Sequence, residues 1–253
     1  IMPTMKGIRS RNIYKKHQEK PFEISRTKFE DFLKCKRCFY LDRVKGVNKP
    51  SSPPYTLNNL VDELLKREFD QYRADKKPHP LFKEMHFNGI PFQHDDLDKW
   101  RASRTQGIKY EDEDTNLILK GGIDDIWLDL DTNKVVIADY KATSKKDGVA
   151  DDILEQPFYG SYKIQLDFYS WLFEKNGFEV ADFGYFLFCN GKQDKQEFNS
   201  LMDFEYKIIK YNTDTSWIDA KVIEMKRQLD SDETPNYSEE CDFCIYSKTI
   251  KEF

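Results

Sequence analysis

The sequence predicts one α/β domain in which a mixed β-sheet is flanked by helices. Segments with helical and strand-like spacing of apolar residues follow one another in the order helices, strands, helix, strands, helix, which differs from the regular alternation of a parallel βαβ fold. The 253 residues suit one large domain, and the hydrophobic (39%) and aromatic (15%) fractions are sufficient for a substantial core. We therefore expect a single domain over residues 1–253.

Charge and hydropathy exclude several classes of protein. The formal net charge is −5 and the isoelectric point is near 5.6, which argues against a basic coat for nucleic acid but leaves room for a local basic cleft. The chain has no apolar run of about 18 residues, so we expect no membrane association. Residues 1–24 are basic and lack the apolar segment of a signal peptide, so the expected location is cytoplasmic. In that compartment the five cysteines are expected to be thiols or metal ligands.

The N-terminal part of the domain, residues 25–75, is predicted to be helical. Its last segment, residues 56–74, repeats apolar residues at helical spacing, and this pattern predicts an amphipathic helix. Residues 75–115 are polar and contain prolines, so we expect loops with short elements there. The apolar stripe of the predicted helix consists of Leu57, Leu60, Val61, Leu64, Leu65 and Phe69.

The remainder of the chain alternates between strand and helix patterns. Residues 116–141 contain two apolar runs separated by the turn sequence DTNK, which predicts a β-hairpin. The chain closes with a cysteine-bearing segment, residues 236–253. The other predicted elements are a helix over 161–177 ended by Gly177, strands over 182–190 and 204–211, and a helix over 216–231.

The predicted hairpin carries charges where a strand pair is normally apolar. Side chains alternate between the two faces of a strand, so Asp124 shares a face with apolar residues of the first run. Asp139 and Lys141 share a face with those of the second run. Asp125 falls on the opposite face, where we expect either a surface position or a supporting role. One aspartate from each strand and a lysine should therefore lie together.

This set of side chains suits metal-assisted chemistry. Two carboxylates on neighbouring strands offer the oxygen ligands that Mg²⁺ or Mn²⁺ prefers, and a bound ion would offset the cost of burying them. A lysine on the same face can hold a water molecule or a phosphate oxygen, which favours hydrolysis of a phosphodiester. The alternative that spacing alone leaves open is a structural ion pair between Asp139 and Lys141.

The segments GGIDDIW and VVIADYKAT resemble the PD-(D/E)XK nuclease superfamily, particularly its RecB-like branch. The resemblance implies a restriction-endonuclease-like fold, in which a mixed sheet is flanked by helices, and a nuclease that depends on Mg²⁺ or Mn²⁺. It places the metal-binding carboxylates at Asp124 and Asp139, a backbone carbonyl ligand at Tyr140 and the catalytic lysine at Lys141.

Two further positions follow from the same resemblance. A helix of the family carries a glutamine and a tyrosine four residues apart, and the segment QLDFY supplies Gln165 and Tyr169 here. Residues four apart lie on one helix face, so both are expected to bind substrate near the metal. RecB-like nucleases often have a histidine metal ligand on an early helix, and Asp62 occupies the matching position. An aspartate ligates Mg²⁺ equally well; the alternative for Asp62 is a solvent-facing helix residue.

Two CxxC pairs stand near opposite ends of the sequence: Cys35 with Cys38, and Cys241 with Cys244. Four thiolates are a strong ligand signal for Zn²⁺ or an iron–sulfur cluster, and such a metal would link the N-terminal helical segment to the C-terminal segment. The first pair is similar to the cysteine segment of AddB-type and CRISPR-adaptation nucleases, which implies a [4Fe–4S] cluster. Those families place one cysteine first and three last, so zinc is the alternative. Cys189 lies in an apolar run, which predicts a buried structural thiol.

The expected substrate is DNA, as a single strand or an end, in repair, phage or defence processes that the sequence does not distinguish. Lys145 and Lys146, directly after the second predicted strand, are candidates for contacts with phosphate. Two alternative functions remain open. One is a nucleic-acid-binding module of the same fold without catalysis, and the other is a metal-linked protein-interaction module in which the charges are ion pairs.

Overall fold

The structure, a computed structural model, describes residues 8–50, 53 and 55–253; residues 1–7 of the predicted basic N-terminal segment lie outside this range. Helices and strands occur in mixed order, which confirms the predicted α/β class. No helix of the described residues is long and apolar enough to cross a membrane. The helices are α1 (Arg26–Lys34), α2 (Lys36–Arg43), α3 (Thr56–Ala74), α4 (Pro80–Glu84), α5 (Leu97–Arg101), α6 (Gly160–Lys175), α7 (Ile218–Leu229) and α8 (Asp242–Thr249).

The strands of the described residues belong to two sheets. Their bounds are β1 (Phe22–Ser25), β2 (Gly89–Pro91), β3 (Ile108–Asp112), β4 (Leu117–Gly121), β5 (Asp125–Asp129), β6 (Lys134–Thr143), β7 (Phe183–Gly191) and β8 (Phe204–Asn212). One sheet has the order β1-β4-β3, with β1 and β4 parallel. The other has the order β2-β5-β6-β7-β8 and is antiparallel except for the parallel pair β6 and β7.

The chain folds into two compact units, each assembled from separate stretches of sequence. The first unit comprises the described residues of Ile1–Pro53, Tyr110–Lys120 and Ser216–Phe253, and the second those of Pro54–Lys109 and Gly121–Thr215. The carboxylate and lysine positions predicted for the site all belong to the second unit. The four cysteines of the CxxC pairs all belong to the first.

In the second unit, β6 is the middle strand of the five-stranded sheet. It pairs with β5 so that Ile137 lies opposite Ile126, and with β7 so that Lys141 lies opposite Phe188. β7 runs parallel to β6, and the chain can reach a parallel neighbour only through a crossover connection. The crossover contains α6. The end of β6 that carries Asp139 and Lys141 therefore lies next to both β7 and α6.

An aromatic core fixes α3 on one face of this sheet. Trp127 of β5 stacks on Phe69 of α3 with ring centroids 5.5 Å apart, and Phe82 packs on the same indole at 4.7 Å. All three rings are buried, and aromatic side chains contribute much of the energy of such cores. Asp62 precedes Phe69 by seven residues, or about two helical turns, so the same packing also determines where Asp62 lies.

The helix predicted over residues 56–74 is confirmed as α3, but its apolar stripe is buried only in part. Leu65 is buried with Phe69, whereas Leu57, Leu60 and Leu64 are about half exposed. The N-terminal half of the apolar stripe therefore lies outside the buried core. The reason is that this half turns polar side chains toward β6 instead: Asn58 Nδ2 donates to the carbonyl of Ala142 at 3.0 Å.

The region predicted as a hairpin, residues 116–141, is divided between the two sheets. β4 pairs with β1, and only the segment from β5 through the DTNK turn to β6 forms the hairpin. The chain leaves β4 through Gly121 and Gly122. A Cβ on Gly122 would lie 2.2 Å from the Cβ of Ser103, so only glycine fits this close approach.

In the first unit, α1 and α2 pack with α7 around aromatic residues. Phe29 stacks on Trp217 at 5.9 Å, and Phe32 meets Phe39 edge to face at 5.4 Å. Between α1 and α2 the chain is extended at Cys35, with φ −159° and ψ 104°, so the helical path is interrupted at the first cysteine of its CxxC pair.

Candidate active site

Asp124 is fixed at the point where the β5–β6 ladder ends. It immediately precedes β5, and its Oδ2 accepts a hydrogen bond of 3.0 Å from the backbone N–H of Tyr140. Pairing between β5 and β6 ends at Asp125 and Ala138. The carboxylate of Asp124 therefore provides the hydrogen-bond acceptor for a backbone N–H of β6 that lies beyond these paired residues. The side chain of Asp124 is thereby held between the positions of Asp139 and Lys141.

Asp139, Lys141 and Gln165 contact one another in a triangle. Lys141 Nζ forms an ion pair with Asp139 and donates to Gln165 Oε1 at 3.1 Å, while Gln165 Nε2 donates to Asp139 Oδ1. Burial acts to lower the pKa of Lys141, but the charges of Asp139 and Asp124 outweigh burial and raise the pKa above its ordinary value. Lys141 is therefore held as a cation beside two carboxylates.

A polar stripe on α3 faces the same carboxylates. Asn58, Asp62 and Lys66 are spaced by four residues and so share one helix face. Lys66 Nζ pairs with Asp62 Oδ2 at 2.6 Å and lies 3.5 Å from Asp124 Oδ1. Asp62 was expected to be either a metal ligand or a solvent-facing helix residue. It lies beside Lys66 and Asp124, and its side chain is 28% exposed.

The carboxylates of this site fit a divalent cation in their chemistry. Asp62 Oδ1 is buried and has no hydrogen-bond partner among the described residues, and such an oxygen is costly unless a cation or donor compensates it. Burial and then the charge of Asp124 raise the pKa of Asp62. Together with Asp139 these side chains supply the oxygen ligands that Mg²⁺ and Mn²⁺ prefer. They are the residues that could hold such an ion.

Asp125 is fully buried on the opposite face of the sheet, so the surface position considered for it is wrong. Its carboxylate pairs with the guanidinium groups of Arg73 and Arg101 and accepts a hydrogen bond of 2.7 Å from the hydroxyl of Tyr140. Arg101 Nε also donates to the backbone carbonyl of Asp124 at 3.1 Å. We call Asp125, Arg73, Arg101 and Tyr140 the buried arginine network; it supports the backbone on which Asp124 stands.

Gln165 and Tyr169 have different surroundings, although both lie on α6. Gln165 contacts Asp139 and Lys141 directly, whereas Tyr169 is 5% exposed and its ring covers Gly121 at the end of β4. A Cβ on Gly121 would lie 2.5 Å from Cε1 of Tyr169, so the close packing requires glycine. Tyr169 therefore belongs to the buried wall behind the site.

A run of aromatic rings leads from Lys141 to the surface. Lys141 Nζ lies 4.4 Å from the ring centroid of Tyr162, and Tyr162 meets Tyr159 at 5.2 Å. Lys145 Nζ lies 5.2 Å from the ring of Tyr159, and Phe158, 5.3 Å from the same ring, is 80% exposed. We call Phe158, Tyr159 and Tyr162 the aromatic track. The other predicted phosphate-contacting residue, Lys146, is exposed on the loop after β6.

The four cysteines of the CxxC pairs converge in the first unit, as expected. Cys35, Cys38 and Cys244 are buried, Cys241 is partly exposed, and all four are free thiols. Their sulfur atoms all lie within 4.8 Å of one another. A search of the described residues for three or more histidine, cysteine or carboxylate side chains with ligand atoms this close together finds this group. They can therefore hold a metal ion. Cys189 is buried in β7 as predicted, and burial raises the pKa of its thiol to about 12.

Comparison with protein families matches the profile of the PD-(D/E)XK nuclease superfamily to residues 52–249, which is most of the chain. The chain belongs to the PD-(D/E)XK nuclease superfamily. The matched range includes the carboxylate and lysine site and begins after Cys35 and Cys38. No curated protein matches the chain. PD-(D/E)XK nucleases use divalent metal ions to hydrolyse phosphodiesters, and the mixed sheet flanked by helices is consistent with their restriction-endonuclease-like fold.

Sequence reasoning missed three cations in and behind this candidate site. Lys66 follows Asp62 by four residues, and this spacing was the signal that could have revealed it. Arg73 lies farther along the same helix. Arg101 lies on α5, in a region predicted as loops with short elements, and no sequence pattern indicates that it contacts Asp125.

Proposed function

We propose that the chain is a deoxyribonuclease of the RecB-like branch that hydrolyses phosphodiester bonds with Mg²⁺ or Mn²⁺ and acts on single strands or ends. The observation that carries this proposal is the convergence of Asp124, Asp139, Lys141 and Gln165 at one end of β6. A purely structural ion pair between Asp139 and Lys141 would need neither the second carboxylate nor the glutamine beside it.

Each side chain has a role that this chemistry requires. Asp124 and Asp139, with Asp62 and the carbonyl of Tyr140, would hold a divalent ion, which would supply positive charge for the phosphate and lower the pKa of a water molecule. Lys141, kept charged by the two carboxylates, orients the attacking water or a phosphate oxygen. The glutamine of α6 fixes the lysine relative to the acid pair.

The test measures DNA cleavage by variants of Asp139 and Lys141, which form an ion pair. We expect Asp139→Ala and Lys141→Ala each to lower the rate about a thousandfold, because a metal ligand or the orienting cation is lost; this corresponds to about 4 kcal/mol of transition-state stabilisation. The measurement is cleavage of an end-labelled DNA single strand after treatment with EDTA and then Mn²⁺.

A matched control is Lys163→Ala, which removes a lysine of α6 that pairs with the exposed Glu155. Circular dichroism should show the same fold for all variants. Wild-type cleavage by either site variant would contradict the proposed roles. Binding of the strand without metal-dependent cleavage by the unaltered protein would favour the non-catalytic module, and the absence of both binding and cleavage would favour the protein-interaction module.

The preference for single strands is supported by the aromatic track. Proteins that bind single strands combine aromatic platforms for bases with cations for the backbone, and Phe158 offers an exposed ring beside Tyr159 and Lys145. Paired bases in a duplex cannot stack on such a ring without unpairing. The track therefore favours an unpaired strand that approaches Lys141 along these rings.

The second prediction concerns this track. Phe158→Ala should weaken binding of a single strand roughly tenfold, because stacking on one aromatic ring contributes about 1–3 kcal/mol per base, and should change duplex binding much less. Fluorescence anisotropy with Ca²⁺ in place of Mn²⁺ measures both affinities. Phe198→Ala is the matched control, since Phe198 is also exposed, by 68%. Equal losses for single strand and duplex, or for both variants, would contradict the assignment.

The four-cysteine group has a structural role in this proposal. A metal held by Cys35, Cys38, Cys241 and Cys244 links the segment around α1 and α2 to the segment around α8. The resemblance to AddB-type nucleases implies a [4Fe–4S] cluster, and the two-and-two arrangement of the cysteines leaves zinc as the alternative.

A further inference from the structure

We infer that the four-cysteine group is built for a single tetrahedral zinc ion and not for an iron–sulfur cluster. This inference deepens the structural role proposed above for the four cysteines. It rests on the sulfur positions within the first unit and is independent of the cleavage reaction.

The distances between the sulfur atoms carry the argument. Cys35 Sγ lies 3.6 Å from Cys244 Sγ, and Cys38 Sγ lies 3.6 Å from Cys241 Sγ and 3.9 Å from Cys244 Sγ. Four thiolates at about 2.3 Å from one zinc ion form a tetrahedron whose edges are about 3.8 Å. These three separations match the edges, and the remaining three are no longer than 4.8 Å. They are far longer than the roughly 2.0 Å of a disulfide bond.

A four-iron cluster requires a wider arrangement of the same ligands. In such a cluster each thiolate binds a different iron at a corner of the cube, so the four sulfur atoms stand outside the cube and farther apart than around one ion. All four sulfur atoms here lie within 4.8 Å of one another. The cluster therefore does not fit unless the two CxxC pairs move apart, whereas one ion fits without movement.

The local backbone explains why the pairs present their sulfur atoms so closely. Cys35 is the N-terminal cap of α2, and its Sγ accepts a hydrogen bond from the N–H of Cys38 at 3.4 Å. Cys241 occupies the corresponding position before α8, with Cys244 in the first turn. Each pair thus places one sulfur at a helix start and one in its first turn, where backbone N–H groups favour negative charge.

Neighbouring side chains enclose the group and offset its charge. Tyr237 packs against the cysteines, and Arg37 lies over the Tyr237 ring at 3.9 Å and donates to the carbonyl of Pro235 at 2.7 Å. Lys49 Nζ lies 5.7 Å from the ring centroid of Phe243, the residue before Cys244. Four thiolates and one Zn²⁺ carry a net charge of about −2, so a nearby lysine is favourable. Zinc also has no redox chemistry, which suits a purely structural link.

The decisive measurement uses the full chain produced in medium that contains both iron and zinc and purified without oxygen. We expect about one equivalent of zinc per chain, no acid-labile sulfide and no visible absorption band. Zinc X-ray absorption should show four sulfur ligands in one shell. Iron with sulfide, a single iron without sulfide, zinc bound by oxygen or nitrogen, or no metal at all would each overturn the inference.

Variants locate the ion independently of its identity. Cys38→Ser and Cys244→Ser should each lose most of the zinc, whereas Cys189→Ser, which alters the cysteine buried in β7, should retain about one equivalent. Asp139→Ala should also retain it, because the carboxylate site is separate. If a serine variant fails to fold, the absorption spectrum of the unaltered protein still decides. Retention of zinc by folded serine variants would overturn the inference.

Cleavage measured on the same preparation separates the two proposals. An active nuclease that contains an iron–sulfur cluster would overturn the zinc inference and leave the proposed reaction intact. An inactive chain with one zinc bound by four sulfur atoms would support the zinc inference and contradict the proposed reaction.

Discussion

Asp124 and Asp125 are adjacent in the chain but have different physical roles. The side chain of Asp124 is 24% exposed and its partners are Lys66 and a backbone N–H. Asp125 is fully buried, and two guanidinium groups neutralise it. A buried carboxylate is tolerated only when charged partners and hydrogen bonds compensate its desolvation. The charge of Asp125 is therefore structural, whereas that of Asp124 is available to a cation.

This difference predicts opposite behaviour of two matched variants. Asp125→Ala should lower the free energy of unfolding by about 3–5 kcal/mol, because it removes the buried carboxylate shared by Arg73 and Arg101 and leaves them only the half-exposed Asp70 as a carboxylate partner. Asp124→Ala should lower it much less and should abolish cleavage. Urea unfolding of both variants measures the first effect, and the single-strand cleavage assay the second. Similar stabilities for the two variants would show that the buried arginine network does not stabilise the fold.

Residues of the site could be predicted where local periodicity alone determines their direction. Strand alternation separated Asp124 from Asp125, whereas Gln165 was indicated by the family resemblance, and helical spacing added only that it shares a helix face with Tyr169. The contacts of Lys66 with Asp124 and of Arg101 with Asp125 could not be predicted because these partners are 58 and 24 positions apart in the sequence. Those contacts depend on how α3 and α5 pack on the sheet, and no residue pattern encodes that packing locally.

At the scale of elements, Asp42 of α2 joins several parts of the first unit. Its buried carboxylate pairs with Arg43 at 2.9 Å, with Lys28 of α1 at 2.8 Å and with Arg9. Burial acts to raise the pKa of Asp42, but the hydrogen bonds and charges of these three cations outweigh it and lower the pKa to about 2. The ion pairs therefore persist well into the acidic range.

The depressed pKa of Asp42 predicts a specific dependence of stability on pH. The folded pKa lies below the ordinary value of 3.8, so the stabilisation is complete above about pH 4 and is lost as the pH falls toward about 2. Asn cannot ionise, so the difference in unfolding free energy between wild type and Asp42→Asn should shrink across that range. Urea titrations at several pH values measure it. A difference that stays constant would contradict the assignment to Asp42.

Elements could be predicted where one periodic pattern coincides with one element. α3 has the predicted bounds because its spacing is uninterrupted over nineteen residues. β4 and β5 were merged because both are apolar with similar alternation. The chain changes sheet between β4 and β5, where Gly122 closely approaches Ser103. That approach is a property of the folded chain.

The whole molecule is organised around discontinuous units. The first unit takes segments from the N-terminal, middle and C-terminal parts of the sequence, and the second takes the stretches between them. The superfamily match over residues 52–249 spans segments of both units. Composition and motif order predicted the fold class, but they contain no information about which separate segments associate.

At this scale we predict where removal of the cysteine-bound metal acts. The four cysteines all belong to the first unit, and metal binding contributes directly to the stability of the segments that it links. Chelation should therefore raise amide hydrogen exchange in α1, α2 and α8 by at least about tenfold, with a much smaller change in β6 and β7. Mass spectrometry of peptides measures the exchange. A uniform increase along the chain would contradict a link local to the first unit.

The placement of Cys35 and Cys38 far ahead of Cys241 and Cys244 also has a consequence for biosynthesis. The ribosome adds about 5–20 residues per second, so the first pair emerges roughly ten to forty seconds before the second. During that interval only two of the four thiol ligands exist, and every segment of the second unit is translated before the interval ends. The four-cysteine group is therefore completed only after the residues of the candidate active site have been synthesised. A nascent chain that stops before Cys241 would carry the proposed catalytic side chains without the means to join its N-terminal helices to α8. Metal retention would then distinguish finished chains from interrupted ones.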